Sequence, residues 1–131
     1  MADIETTLRT HLLADAGLAA KIGTRCYPVQ LPQQPTLPAL AYLRVSMDPV
    51  QHRSSAQAGA ARSRYQFDVW GATHQSAQET ATALIAALGT FVETGTPRVD
   101  VALLENVQDG IDETTKRRRV IVEAFIWHTT P

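Results

Sequence analysis

The chain has 131 residues, enough for one ordinary domain that buries a real core without a metal or a disulfide. Hydrophobic residues make up 44% and charged residues 19%, the balance of a folded chain rather than a disordered one. The formal net charge of −1 argues against bulk electrostatic binding to nucleic acid or to an anionic membrane. Cys26 is the only cysteine, which leaves no internal disulfide and no thiolate metal cluster. The acidic start, Met1 to Glu5, has no apolar run of signal-peptide type, and no segment approaches the roughly 20 apolar residues of a membrane helix. A cytoplasmic location follows as the default expectation.

Residues 3 to 14 predict a helix, with Ile4, Leu8 and Leu12 on one face and Asp3 as N-cap. Asp15 predicts the cap of a second, short helix carrying Leu18 and Ile22 and stopped by Gly23. Pro28, Pro32, Pro35 and Pro38 then exclude helix and interior strand, so an ordered, extended connector is expected there. Alternation resumes from about Ala39 to Met47, with Ala39, Ala41, Leu43 and Val45 on one face and Tyr42, Arg44 and Ser46 on the other. Residues 48 to 61 break every periodicity. A polar, small-residue loop of that length between strands predicts a projecting hairpin loop, and such loops are often functional or mobile.

The stretch Arg62 to Trp70 is the pivot of the chain. Period two places Tyr65, Phe67 and Val69 on one side and Arg62, Arg64, Gln66 and Asp68 on the other, with Trp70 joining the polar side. The expectation is a half-buried strand whose polar face is the place to look for function. Ser76 and Glu79 have the capping-box spacing, with Thr73 as a competing N-cap. Ala77, Ala81, Leu84, Ile85 and Leu88 form an apolar helical stripe, and Gly89 sits where a C-terminal cap would.

Residues 94 to 97 read as a turn, and Val99 to Val107 as a strand alternating Val99, Val101, Leu103 and Val107 against Asp100 and Asn106. Asp109 to Lys116 read as a charged turn. The last strand, Arg117 to His128, is apolar on both faces from Val120 to Trp127 except for Glu123, which suits a central place in a sheet. The order predicts an α+β fold: a mostly antiparallel four-stranded sheet with helices packed on one face, as a single domain over residues 1–131.

The motifs together carry a resemblance. They are Leu13 to Gly17 with Ile22 to Pro28, Leu31-Pro32-Gln33 with Leu37-Pro38-Ala39, Arg64 to Trp70 with its alanine-rich helix, and a closing Phe125 to His128. In this order the chain resembles the tail-completion, or tail-to-head joining, proteins of long-tailed phages, long catalogued as a domain of unknown function. The resemblance covers nearly the whole length. It implies a tail-terminator-like structural protein of a phage or prophage whose subunits form a ring, commonly a hexamer, on the tail tube and face the head connector. Its expected partners are itself, the tail tube protein and the head–tail connector protein. The expected locations are the host cytoplasm during assembly and the head–tail junction of the virion.

The residues fit that role. Arg62, Arg64, Gln66, Asp68 and Trp70, with His52 and Arg53 in the loop, are the interface candidates, and Arg64 and Asp68 are candidates for charge pairs across subunits. For the loop at 48–61 two readings stand: lining the ring or contacting the tube, and a hairpin tip that is mobile until assembly. The rival function is a small nucleic-acid-binding module using Arg62, Arg64 and Arg117–Arg119. Asp109, Asp112 and Glu113 balance that basic run, and DNA that passes through a ring is not tightly held by it. His11, His52, His74 and His128 have no metal-ligand spacing, and no nucleophile-elbow, zinc-protease or phosphate-loop motif occurs. The sequence therefore predicts no catalytic residue, no metal, no cofactor and no enzyme activity.

Overall fold

A computed structural model describes residues 3–49, 60–95 and 97–129. Helix α1 (Ile4–Ala14) starts where the Asp3 carboxylate accepts the Thr6 N–H at 2.8 Å. Asp15 ends α1 and caps α2 (Ala16–Ile22), accepting the Leu18 N–H at 2.9 Å. At Gly23, φ is +59°, a left-handed value that glycine adopts without a Cβ penalty. The chain reverses there into β1 (Cys26–Pro28), a three-residue strand that ends where the expected connector begins.

Five strands form one sheet in the order β1–β2–β3–β5–β4, with β2 (Ala39–Pro49), β3 (Ala60–Gly71), β4 (Val99–Ile111) and β5 (Arg118–Thr129). Every pairing is antiparallel except the short parallel β1–β2 contact. The α+β class and the four main strands are as the sequence predicts; β1 is the addition. Strand β3 lies at the middle of the sheet, and β5 is paired on both sides, which accounts for its double apolar character.

All three helices cover one face. Leu8 and Leu12 of α1, Leu18 and Ile22 of α2, and Ala77, Ala81, Leu84 and Leu88 of α3 (His74–Gly89) pack with Leu40, Tyr42, Tyr65, Phe67, Val69, Val120, Val122, Ala124 and Ile126. Each large apolar side chain so enclosed contributes about 1.5–3 kcal/mol relative to exposure. The β2 residues that reach this core are Leu40 and Tyr42, while Ala39 and Ala41 are buried on the opposite face. Gly71 brings β3 close under α3: a Cβ there would lie 2.6 Å from the Ala77 nitrogen.

Local expectations are corrected at both ends of α3 and along β4. The cap of α3 is Thr73, whose hydroxyl accepts the Ser76 N–H at 3.1 Å; Ser76 is already helical, and Gly89 is the last helical residue before the Thr90 cap. Strand β4 runs through Asp109 and Gly110 to Ile111, and the turn begins at Asp112. The Asp112 side chain accepts the Thr114 and Thr115 N–H groups, and its carbonyl accepts the Lys116 N–H at 2.7 Å, which closes the turn. Two register shifts in β4, at Val99/Val101 and Leu104/Asn106, also break its alternation. Val101 and Leu103 consequently lie on the face away from the helices, whereas Val99 and Val107 lie on the helix side.

Candidate functional site: the bare face of the sheet

The sheet face without helices is built from cross-strand rungs, because directly paired residues point the same way. One rung is Asp48–Arg62–Trp127–Val101, and the next is Ser46–Arg64–Phe125–Leu103. Beyond them come Leu43–Gln66–Glu123–Asn106, Ala41–Asp68–Ile121–Gln108 and Ala39–Trp70–Arg119–Gly110. The predicted candidates Arg62, Arg64, Gln66, Asp68 and Trp70 thus form the central column of this face. His52 and Arg53 lie outside the described residues, as does most of the expected 48–61 loop; its ends, Asp48–Pro49 and Ala60–Ala61, belong to strands.

Arginine planes stack on aromatic rings along the column. The Arg62 guanidinium carbon is 4.4 Å from the Phe125 ring centroid and 5.6 Å from that of Trp127. Arg64 lies 5.8 Å from Phe125, and Arg119 lies 5.3 Å from Trp70. Such contacts contribute on the order of 0.5–2 kcal/mol, more as water is removed.

Each of these arginines also meets a carboxylate of its own chain. Arg62 pairs with Asp48 at 2.8 Å, Arg64 with Glu123 and with Glu105 at 3.2 Å, and Arg119 with Asp68 at 3.3 Å. Gln66 donates to Asp68 at 3.0 Å. Glu105 reaches Arg64 from the second β4 register shift. Arg64 Nε stands close to Glu105 but out of line for a hydrogen bond, and neither it nor the buried Arg119 Nε has an acceptor among the described residues. Arg64 and Asp68, expected to seek charges on a neighbour, therefore already have partners within the chain.

At one end of the face, connector residues 29 to 32 lean over Ala41, Asp68 and Trp70, with Asp112 and Arg117 at the rim, and leave a cleft of about 180 Å³. Arg117–Arg119 do not act as one patch. Arg119 is on the bare face against Asp68, whereas Arg118 pairs with Gly71 and Ile111 on the other side. That divergence removes the concentrated basic strip a nucleic-acid module would use.

Sequence reasoning missed the middle of the β5 half of this surface, Ile121, Glu123 and Phe125, and named Arg119 only as part of the basic run of the rival reading. The signal was present, since a strand apolar on both faces must offer one of them to something other than the helices.

The family profile described as tail completion protein gp17 matches residues 6–129. The chain belongs to that tail-completion family. None of the curated protein sequences matches significantly. Among solved structures, a chain from the virion of a native gene transfer agent particle superposes with a TM-score of 0.72 at 23% identity, covering 98% of this chain and 96% of that one. A second solved structure gives a TM-score of 0.61 at 13% identity, over 97% and 96% of the two chains. Both likenesses concern the fold. The chain is thus a structural phage-type protein with one helix-covered face and one bare, aromatic-and-arginine face.

Proposed function

We propose that the protein completes the tail and joins it to the head connector, as a ring of identical subunits that acts by binding alone. The family match over residues 6–129 carries this reading. The bare sheet face supports it. Half-buried aromatic and arginine side chains are the residue types that anchor protein interfaces, and no helix among the described residues covers that face, which only connector residues 29 to 32 overhang at one end. On this reading the tail tube protein and the head connector are the partners, and DNA passes through the ring without being held by it. Assembly takes place in the host cytoplasm, and the mature location is the head–tail junction.

The mechanism needs no group transfer and no cofactor. Burial of complementary surface between subunits, of the size typical for stable assemblies, locks tail to head. Deletion of the gene is the direct test. Filled heads accompanied by unattached or overlong tails in electron micrographs are expected, and normal virions from the deletion overturn the role.

A further inference from the structure

The sheet has two open edges, and they match each other. Strand β1 covers β2 only as far as Tyr42, so among the described residues nothing pairs with the outer side of β2 from Leu43 to Pro49. On the far side, Glu93 bridges Val99, and the outer side of β4 from Asp100 to Ile111 has no partner among the described residues. Long open edges are templates for another strand, and they usually carry devices against indiscriminate pairing.

Exposed apolar residues of both edges meet at one level, although Val107 and Ile111 of β4 lie further along. Following the ladders across the sheet, Arg44 aligns with Tyr65, Ala124 and Leu104, and Ser46 aligns with Arg64, Phe125 and Leu103. Val45 on β2, 47% exposed, is thus level with Leu103 and Leu104 on β4, 53% and 50% exposed, and Met47, 40% exposed, stands one step along, level with Ala102. The two edges also differ in charge. From Asp100 to Ile111, β4 carries Asp100, Glu105 and Asp109 and no base, with Asp100 held by Arg98 and Glu105 by Arg64, whereas the open part of β2 presents Arg44, its Asp48 being engaged with Arg62.

We propose that copies of this chain join edge to edge, the open side of β2 in one copy pairing antiparallel with the open side of β4 in the next. The direction follows from topology. Strands β2 and β4 run oppositely in the sheet, so a rotation about an axis along the strands sets β4 of one copy antiparallel to β2 of its neighbour, with levels kept. Pairing of two β4 edges would instead bring acidic strands together, and pairing of two β2 edges would bring arginines together. The contact is therefore head-to-tail, the kind that closes into a ring. The inference rests on the ring reading above and specifies which surfaces form it.

Disulfide mapping on assembled tails tests it. Cys26 is buried, and burial pushes its thiol up to about 11, so it stays out of the reaction. A Val45→Cys/Leu104→Cys double variant, assembled on tail tubes and oxidised, is expected to give a ladder of covalent oligomers. The two single variants, mixed, give dimers, and each single variant alone stays monomeric. Rings visible on the tails with no 45–104 product, or with a 104–104 product, overturn the edge pairing and leave the tail-completion reading standing. Tails that carry no copies of the protein overturn both. Light scattering of each variant before oxidation, compared with the unmodified protein, confirms that the substitutions themselves leave assembly intact.

Discussion

The Ser63 hydroxyl lies 2.7 Å from Nε2 of His128, and both side chains are buried on the helix side of the sheet. Nδ1 of the same ring is 2.8 Å from the Thr129 carbonyl, which can only accept, so Nδ1 carries the hydrogen and Nε2 receives the serine proton. The neutral ring is satisfied on both nitrogens. Burial holds the imidazole below its ordinary value of 6.5, the Thr129 hydrogen bond offsets this in part, and the Arg44 charge adds to the depression.

A pH dependence follows. The unfolded chain takes up the His128 proton more readily than the folded one, so stability rises with pH between the depressed folded value and about 6.5 and is lost on acidification through that window. The slope is bounded at about 1.4 kcal/mol per pH unit for one proton. Thermal melts from pH 7 to pH 5 are expected to show falling midpoints, and His128→Gln is expected to flatten the curve. An unchanged slope in that variant contradicts the assignment.

Gly71→Ala is expected to destabilise the fold by about 1–3 kcal/mol, because backbone atoms of Ala77 at 2.6 and 3.0 Å occupy the space a Cβ needs. Urea titration measures this. Gly89→Ala, where nothing lies within 4 Å of the new atom, serves as the mild comparison.

Removal of one partner from the bare-face ion pairs should cost more than removal of both. Arg64→Ala leaves the Glu123 carboxylate, 14% exposed, without its cation, at a cost of about 1–3 kcal/mol. Arg64→Met combined with Glu123→Leu is expected to recover most of that loss. A double-mutant cycle by chemical denaturation gives the coupling.

The caps discriminate between two readings of one stretch. Thr73→Ala is expected to lower stability by about 0.5–2 kcal/mol and Ser76→Ala by under about 0.5, since it is the Thr73 hydroxyl that accepts the Ser76 N–H. Equal losses at the two positions, or a larger one at Ser76, contradict the Thr73 cap.

Much of this architecture was legible because local rules and tertiary packing agree. Asp3, Asp15 and Gly23 mark helix ends by chemistry that needs no neighbours, and Tyr65, Phe67 and Val69 keep strict period two through the centre of the sheet. Legibility fails where a non-local contact decides. The short β1 exists because the Val29 N–H finds the Tyr42 carbonyl and the Leu40 N–H finds that of Arg25, pairings no local pattern announces. In β4, register shifts swap faces within one strand, so its apolar residues cannot be sorted by alternation. The candidate surface was half visible. The β3 column was named from period two, but its alignment with Asp48, Phe125 and Trp127 depends on a register that only the folded sheet supplies.

The three arginines of the bare side each arrive at any encounter with a carboxylate already in hand. Such a surface has little long-range pull to offer. If the proposed docking takes place there, a partner is recognised only once it is near enough to fit around the rings, so association is expected to proceed at an unhurried rate that added salt scarcely changes, while the complex, once seated, is held by shape.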